Sequence, residues 1–198
     1  LHEDISLTML TQTTFAGMAS FPLLAIPLFM LAGNLMNEGG ITDDLVRFAR
    51  LLTAHISGGL GLATILASAV FAAISGSAVA TAVAIGMVMI PAMARAGYDE
   101  DTAAAVTAAA SCMGPIIPPS IPFIMYGVIA NVSIGALFLA GILPGLTLGA
   151  ALMLYMILVS RRRGYPREPR ASAAELLRGT WRAMPALLMP VIILGGIL

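Results

Sequence analysis

Two long stretches without any charged side chain or histidine dominate the pattern of hydrophobic and polar positions in this chain. One stretch covers residues 57–94 and the other covers residues 102–160. A helix needs about 20 residues to cross the hydrocarbon core of a bilayer. Each stretch is therefore long enough for more than one passage, and the pattern predicts a series of membrane-embedded helices.

The part before the first stretch predicts helices in or along the membrane. Residues 5–20 are typical of a helix at the membrane surface or the end of a span, and residues 21–36 form a short apolar span. Residues 42–56 predict an interfacial amphipathic helix, with Thr42 as its N-cap and the acidic pair 43–44 in its first turn. Its apolar face carries Leu45, Phe48, Leu52 and Ile56.

Residues 58–94 predict two apolar arms that are joined by the polar tip Ser75-Gly76-Ser77. The first arm would be about 25 Å long as a helix, which is marginal for a full crossing. Both arms are rich in small side chains, which favours contact with other protein rather than with lipid. The arms therefore form either two full spans or a re-entrant hairpin whose tip lies at mid-membrane.

Residues 98–131 predict a helix that is broken in its middle. Its first half opens with three acidic residues at 99–101, and four prolines within residues 115–122 remove backbone donors, so the helix must end near Gly114. Apolar helix resumes over residues 123–130.

The remaining residues predict one more span and a basic loop. Residues 134–160 run back across the membrane with a kink at 144–145, and residues 161–170 form the loop. Residues 175–182 predict a second interfacial helix, and a new span begins near Met184.

Arginines give the predicted orientation. All ten basic residues are arginines, and they lie outside the two apolar stretches, at positions 47–50, 95 and 161–182. Basic loops favour the cytoplasm, which places the 161–182 segment there, and counting spans backward puts Arg95, Arg50 and Arg47 on the same side. The chain is predicted to be a multi-pass protein of the bacterial inner membrane with cytoplasmic arginine-rich loops.

Composition excludes several function classes. Hydrophobic residues make up 59% of the chain and charged residues only 10%, against about 25% charged in soluble domains. The absence of lysine and of a basic stripe argues against nucleic-acid binding. The apolar stretches hold no Asp, Glu or His for a catalytic dyad or triad, so we do not expect an enzyme or an organic cofactor.

The tip and the break are the candidate places for chemistry. Non-helical backbone at membrane depth persists only inside protein or around a cavity, and broken helices of transporters bind cations through freed carbonyls. Taken alone, a Ser-Gly-Ser loop or a Pro-Pro kink has a purely structural explanation. Together in one charge-free region they predict a cation site. The stretches offer only Cys112, Tyr126 and Tyr155 as titratable groups and no carboxylate or histidine, which favours Na⁺ over protons.

Five segments resemble the large membrane subunit (DctM-like) of TRAP-type carboxylate transporters: residues 21–41, 75–93, 97–127, 132–145 and 184–197. The resemblance implies an elevator-type carrier built from inverted repeats, of which this chain would be the first, N-terminal repeat. It also implies Na⁺ coupling, a small membrane subunit (DctQ-like), and a periplasmic binding protein (DctP-like) that delivers a C4-dicarboxylate, sialic-acid-like or related acid.

The resemblance further implies site residues and domains. Na⁺ would bind at the tip and at carbonyls of the break: Ser75, Gly76, Ser77, Gly114, Ile117 and Pro119. Substrate would contact Ser77 and Ser120. Residues 1–57 would be scaffold with an interfacial arm helix. Residues 58–131 would be half of the transport domain, with the hairpin at 58–94 and the broken helix at 98–131. Residues 132–198 would return to the scaffold, with a second arm helix and a truncated span.

Two alternatives remain open from the sequence. One is a dicarboxylate or citrate symporter that works without a binding protein. The other is a membrane scaffold subunit that transports nothing, which would not need broken helices. The ends of the chain suggest a piece of a longer protein, and the expected second repeat lies outside it.

Overall fold

The structure, a computed structural model, describes residues 7–18 and 21–197, and all regular elements in these ranges are α-helices. The helices are α1 (Leu7–Met18), α2 (Phe21–Glu38), α3 (Ile41–Thr53), α4 (Gly59–Ser75), α5 (Ala78–Arg95), α6 (Glu100–Ser111), α7 (Ile121–Ala130), α8 (Ile134–Arg163) and α9 (Ala173–Ile197). The predicted all-α fold class is confirmed. Of residues 5–20, which were predicted as the first helix, residues 5, 6, 19 and 20 lie outside the described residues.

Helix α4 is the core of the molecule. It is buried over most of its length and packs against α2, α3, α5, α6, α8 and α9. Its neighbour α5 buries one face and leaves an apolar stripe on the other, formed by Val79, Val83 and Met87, which are 74%, 53% and 63% exposed. The small-residue hairpin is thus enclosed by protein on the α4 side, as its composition predicts.

Helices α5, α8 and α9 are long and apolar enough to cross a bilayer, and shorter apolar helices cover 23–38, 59–75 and 121–130. The protein is therefore an integral membrane protein. The hairpin's re-entrant geometry stays a prediction.

Helix α3 begins differently from its predicted start. Gly40, with a φ of 73°, precedes the first turn and provides no side-chain cap. The Thr42 hydroxyl is buried without a hydrogen-bond partner in the described part of the chain. The N-cap prediction for Thr42 was wrong, because the glycine's left-handed turn starts the helix at Ile41. Leu45 is buried on the predicted apolar face, whereas Leu52 is 39% exposed, and Val46 and Ala49 are buried beside Leu45.

Helix α9 is one continuous helix where the sequence predicted two segments. A reciprocal cap starts it: Ser172 N–H donates to the Glu175 carboxylate over 2.8 Å, and Glu175 N–H donates to the Ser172 hydroxyl over 3.2 Å. Pro185 and Pro190 lie inside the helix. Helices in membranes tolerate such prolines because neighbouring groups satisfy the freed carbonyls.

Polar and aromatic contacts join the basic loop to the start of α6 and to α3. Tyr165 stacks on Tyr98 with ring centroids 4.1 Å apart, and the Tyr165 hydroxyl donates to the Asp99 carboxylate over 2.7 Å. Arg163 also pairs with Asp99, and Arg50 of α3 pairs with Glu168 at 3.0 Å. The arginine-bearing segments therefore meet at one end of the helical bundle.

The surroundings of Asp99 and Tyr98 shift the pKa of each side chain. The Tyr165 hydroxyl, followed by the Arg163 guanidinium, lowers the pKa of Asp99 below its ordinary value of 3.8. Burial raises the pKa of Tyr98 to about 12, although the amides of Leu60 and Gly61 at the start of α4 act in the opposite direction. These amides lie near the Tyr98 hydroxyl without forming hydrogen bonds of normal geometry. The tyrosine oxygen thus faces the positive end of α4.

Candidate ion and substrate site

The tip of the hairpin lies directly against the break between α6 and α7. A Cβ atom on Gly76 would stand 2.7 Å from the Pro119 carbonyl oxygen, and one on Gly114 would stand 2.6 Å from the Ser77 carbonyl carbon. Real Cβ atoms do not come that close to backbone, so only glycine fits at both places. We call this backbone-to-backbone contact the tip–break joint.

Four helix ends meet at the tip–break joint. Helices α4 and α6 end there and α5 and α7 begin there, and the Ile121 amide donates to the Gly76 carbonyl over 3.4 Å. Helix C-termini present unpaired carbonyls, which attract cations, and helix N-termini present amides, which attract anions. One location therefore offers both kinds of electrostatic environment.

Hydroxyl groups line the hairpin side of the joint. The Thr81 hydroxyl donates to the Ser77 carbonyl over 2.8 Å and lies 3.1 Å from the Ser75 hydroxyl. The Ser77 amide donates to the Ser75 oxygen over 3.4 Å, and the Ser77 side chain caps α5 by accepting from the Ala80 amide. These bonds leave lone pairs on the hydroxyl oxygens, so they can still coordinate a cation.

Carbonyls line the break side. Within the described part of the chain, the carbonyls of Gly114, Ile117 and Pro119 accept no hydrogen bond. Pro118, four residues after Gly114, has no N–H to donate to that carbonyl. The amides four residues after Ile117 and Pro119 are engaged elsewhere, since Ile121 donates to the Gly76 carbonyl over 3.4 Å and Phe123 donates to the Ser120 hydroxyl over 3.3 Å. Hard oxygen atoms without competing donors are the ligands that small cations prefer.

Ser120 has a local structural role in this arrangement. It is fully buried, and its hydroxyl donates to the Pro115 carbonyl over 2.7 Å and accepts from the Phe123 amide over 3.3 Å, which caps α7. Its predicted contact with substrate stays a prediction.

A cleft of about 170 Å³ opens beside the tip, between α2 and the hairpin. Helix α2 touches the tip where a Cβ on Gly33 would lie 3.8 Å from the Ser75 Cα. Asn34 and Asn37, which are three residues apart on α2, line the cleft together with Ser75 and Ser77. None of the described residues that line it is ionisable.

The structure therefore gathers the predicted tip and break residues at one place and adds others. Gly76 meets Pro119, and Gly114 meets Ser77, while the Ile117 side chain is directed to α8 at Gly145. Thr81 belongs to the polar tip region in the sequence but was not predicted as a ligand, and Asn37 was not predicted at all. Thr81 lies one helical turn beyond the Ser77 cap, a spacing that could have indicated it, whereas Asn37 is brought there only by the packing of α2.

Comparison with known proteins gives a family for the whole chain. The family model for the DctM component of tripartite ATP-independent periplasmic transporters matches residues 1–198. The sialic acid TRAP transporter large permease protein of Vibrio cholerae is 44% identical over 197 residues, which are 100% of this chain and 46% of that protein.

Two further relatives are named for sialic acid and for C4-dicarboxylates. The sialic acid TRAP transporter permease protein of Haemophilus influenzae is 46% identical over 94% of this chain and 30% of its own length. A C4-dicarboxylate TRAP transporter large permease protein of Vibrio cholerae is 41% identical over 99% of this chain and 44% of its own length. The chain thus spans less than half the length of these relatives.

Proposed function

The chain belongs to the DctM component family of tripartite ATP-independent periplasmic transporters, and from that premise we propose that it is part of a Na⁺-coupled carrier for a small organic acid. The carrier lies in the bacterial inner membrane and works with a small membrane subunit (DctQ-like) and a periplasmic binding protein (DctP-like). The arginine-rich loops face the cytoplasm.

The tip–break joint is the observation that supports this proposal. It brings the free carbonyl of Pro119 against Gly76 and the break at Gly114 against Ser77, beside the hydroxyls of Ser75 and Thr81. A cation bound there by neutral oxygens would need no titratable partner, which favours Na⁺. The cation is co-transported cargo, so its binding must be reversible.

Substrate would bind at the same joint from the cleft side. The N-terminal amides of α5 and α7 attract a carboxylate, and the side chains of Asn34 and Asn37 offer donors and acceptors to the rest of the acid. The cleft of about 170 Å³ fits a small polar molecule. The named relatives transport different acids at similar identity to this chain, so we assign a carboxylate class and no single acid.

We propose an elevator motion for this carrier, and the same arrangement supports it. Helices α4 to α7 would move as one body, because Gly76 and Gly114 lock the hairpin to the broken helix through backbone contacts. Ion and substrate would travel with that body, while α2, α3, α8 and α9 would remain as scaffold.

The test is Na⁺-dependent uptake by the full-length carrier with both partners in proteoliposomes. We expect uptake to need an inward Na⁺ gradient. Gly114→Ala pushes a Cβ into the Ser77 backbone and should raise the Na⁺ concentration for half-maximal uptake about tenfold, equivalent to ~1.4 kcal/mol. Ser77→Ala should act in the same direction through the weakened tip.

Gly86→Ala is the matched control. It also lies in the hairpin, but its Cβ would meet only side-chain atoms at 3.4 Å and 3.5 Å, so the Na⁺ dependence should stay unchanged. Affinity of the binding protein for the acid should be the same for all variants. Uptake driven by a pH gradient alone, with no response to Na⁺, would refute Na⁺ coupling.

A further inference from the structure

Three arginines from two helices converge on one groove far from the tip–break joint. Arg47 of α3 and Arg178 and Arg182 of α9 line a groove of about 300 Å³ together with Leu51, Gly179 and Glu175. Helices α3 and α9 are in close contact at this groove, where a Cβ on Gly179 would lie 2.6 Å from a Leu51 methyl carbon. We call this the arginine groove.

The arginine groove has an excess of positive charge. Among the described residues, its three guanidinium groups form no salt bridge, whereas Arg50 and Arg163 of the same bundle end do. The single carboxylate in the lining is Glu175, and it accepts from both the amide and the hydroxyl of Ser172 at 2.8 Å. Hydrogen bonds from Ser172 and, more weakly, the charge of Arg178 lower the pKa of Glu175. The lining therefore carries three positive charges and one negative charge.

Charge in the adjoining cavity does not cancel this excess. That larger cavity shares Arg47, Leu51 and Glu175 with the arginine groove, and its other charged lining residues are Asp43, Arg50, Glu168 and Arg170. Arg50 and Glu168 pair with each other, so the remaining charged side chains of that cavity are one carboxylate, Asp43, and one guanidinium, Arg170. The groove itself thus remains a cationic site for a polyoxygen anion.

The position along α9 identifies the source of that anion. Apolar sequence begins at Ala183, directly after Arg182, and Arg178 lies one turn earlier at about 6 Å along the helix axis. Leu177 and Trp181, both 72% exposed, flank the arginines on the outer surface. Such apolar and aromatic side chains are typical of the headgroup level, where phosphates of lipids lie.

We propose that the arginine groove binds the phosphate of an anionic phospholipid, with its acyl chains beside Leu177 and Trp181. The lipid would join α3 to α9 and so hold the interfacial helix against the scaffold. This inference does not depend on the transported acid or on the coupling ion.

The experiment compares lipid retention by the full-length carrier with its small subunit, purified and studied by native mass spectrometry. The probes are phosphatidylglycerol and phosphatidylethanolamine of the same acyl chains. We expect retention of phosphatidylglycerol, and about thirtyfold weaker retention by the Arg178→Gln/Arg182→Gln variant, since each of the two arginines contributes about 1 kcal/mol near an anionic lipid and ~1.4 kcal/mol corresponds to a factor of ten. Arg178→Lys/Arg182→Lys should keep most of the binding.

A control pair separates the groove from general surface charge. Arg161→Gln/Arg167→Gln removes two exposed arginines that line neither the arginine groove nor the adjoining cavity, and it should leave retention unchanged. Equal loss in both pairs, or equal retention of both lipids, would overturn the proposal. So would competition by millimolar glycerol phosphate, which would indicate a site for soluble phosphate.

A second measurement needs no variant. Photoactivatable phosphatidylglycerol should crosslink wild-type carrier at peptides of α3 and α9, and excess phosphatidylglycerol should suppress the crosslinks. Crosslinks that map to other helices, or dissociation of the small subunit from the glutamine variant without a change in lipid binding, would contradict a lipid in this groove.

Discussion

Two features of the backbone at position 76 require glycine: its dihedral angle φ and its close contact with Pro119. Its φ of 60° lies in the left-handed region, and a Cβ would come within 2.7 Å of the Pro119 oxygen. We expect Gly76→Ala to lower the free energy of unfolding of the full-length carrier by about 1–3 kcal/mol, measured as a lower thermal midpoint. Gly97→Ala shares the positive φ, at 86°, but has open space around it, so a loss as large as that of Gly76→Ala would contradict the contact argument.

The low pKa of Asp99 makes the stability of the fold depend on pH at this end of the bundle. A folded-state pKa below the ordinary 3.8 means that the Tyr165 and Arg163 contacts stabilise the fold above that pH and lose effect as pH falls through the folded-state value. Tyr165→Phe keeps the ring stack on Tyr98 and removes the hydroxyl. We expect a lower thermal midpoint at pH 7 and a smaller difference from wild type below about pH 4.

Tyr155→Phe is the control for this prediction, because Tyr155 is 64% exposed on α8 and lies outside the Asp99 contacts. Its midpoint should follow that of wild type at every pH. A difference between Tyr165→Phe and wild type that stays constant from pH 7 to below pH 4 would contradict the role of Asp99.

Individual site residues were predictable where the backbone itself carries the signal. Four prolines force free carbonyls near Gly114, and Ser-Gly-Ser forces a turn at Gly76, so both sides of the joint follow from local chemistry. Asn37 could not be identified in this way, because its place depends on the contact of Gly33 with Ser75 across 42 positions of sequence. Ser120 differs from Asn37, because its hydrogen bonds to Pro115 and Phe123 lie within a few residues of sequence. Its capping role is therefore local, whereas its predicted contact with substrate stays a prediction.

At the scale of elements, helix lengths support a tip at mid-membrane. Helix α6 is about 18 Å long and α7 about 15 Å, so the two together make one passage with the break near its middle. The tip contacts that break. In a cryo-EM map of the full-length carrier in nanodiscs, we expect Gly76 about 15 Å from either face of the hydrocarbon core. A tip that emerges at the far surface, beyond the end of α6, would contradict the re-entrant hairpin.

The sequence predicted the ends of helices well where Gly, Pro or charged residues mark them. It predicted them poorly where tertiary packing determines the helix. The turn at 75–77 and the end of α6 are near their predicted places. Helix α9 continues through Pro185, because a membrane helix can satisfy the carbonyl that a proline leaves free. The apolar face of α3 was assigned partly to Leu52, whereas packing between α4 and α9 selects Val46 and Ala49.

At the scale of the whole molecule, the contacts of Arg50 with Glu168 and of Arg163 with Asp99 collect the arginine-bearing segments at one end. This supports the predicted cytoplasmic orientation. In a Cys112→Ala background, which removes the exposed native thiol, we expect Arg167→Cys in intact cells to resist a membrane-impermeant maleimide and Asn131→Cys, at the turn before α8, to react. The reverse pattern would invert the topology.

The main-chain character of the tip–break joint has a consequence for how such a carrier can diversify. Because Gly76 and Gly114 meet through backbone atoms, the neighbouring side chains Asn34 and Asn37 can be exchanged without rebuilding the joint. A library that randomises both asparagines and holds both glycines should yield many variants that keep their ion requirement while their preferred nutrient changes. Variants selected for growth on a new acid should therefore carry their substitutions on α2, and their uptake should still be coupled to the same ion.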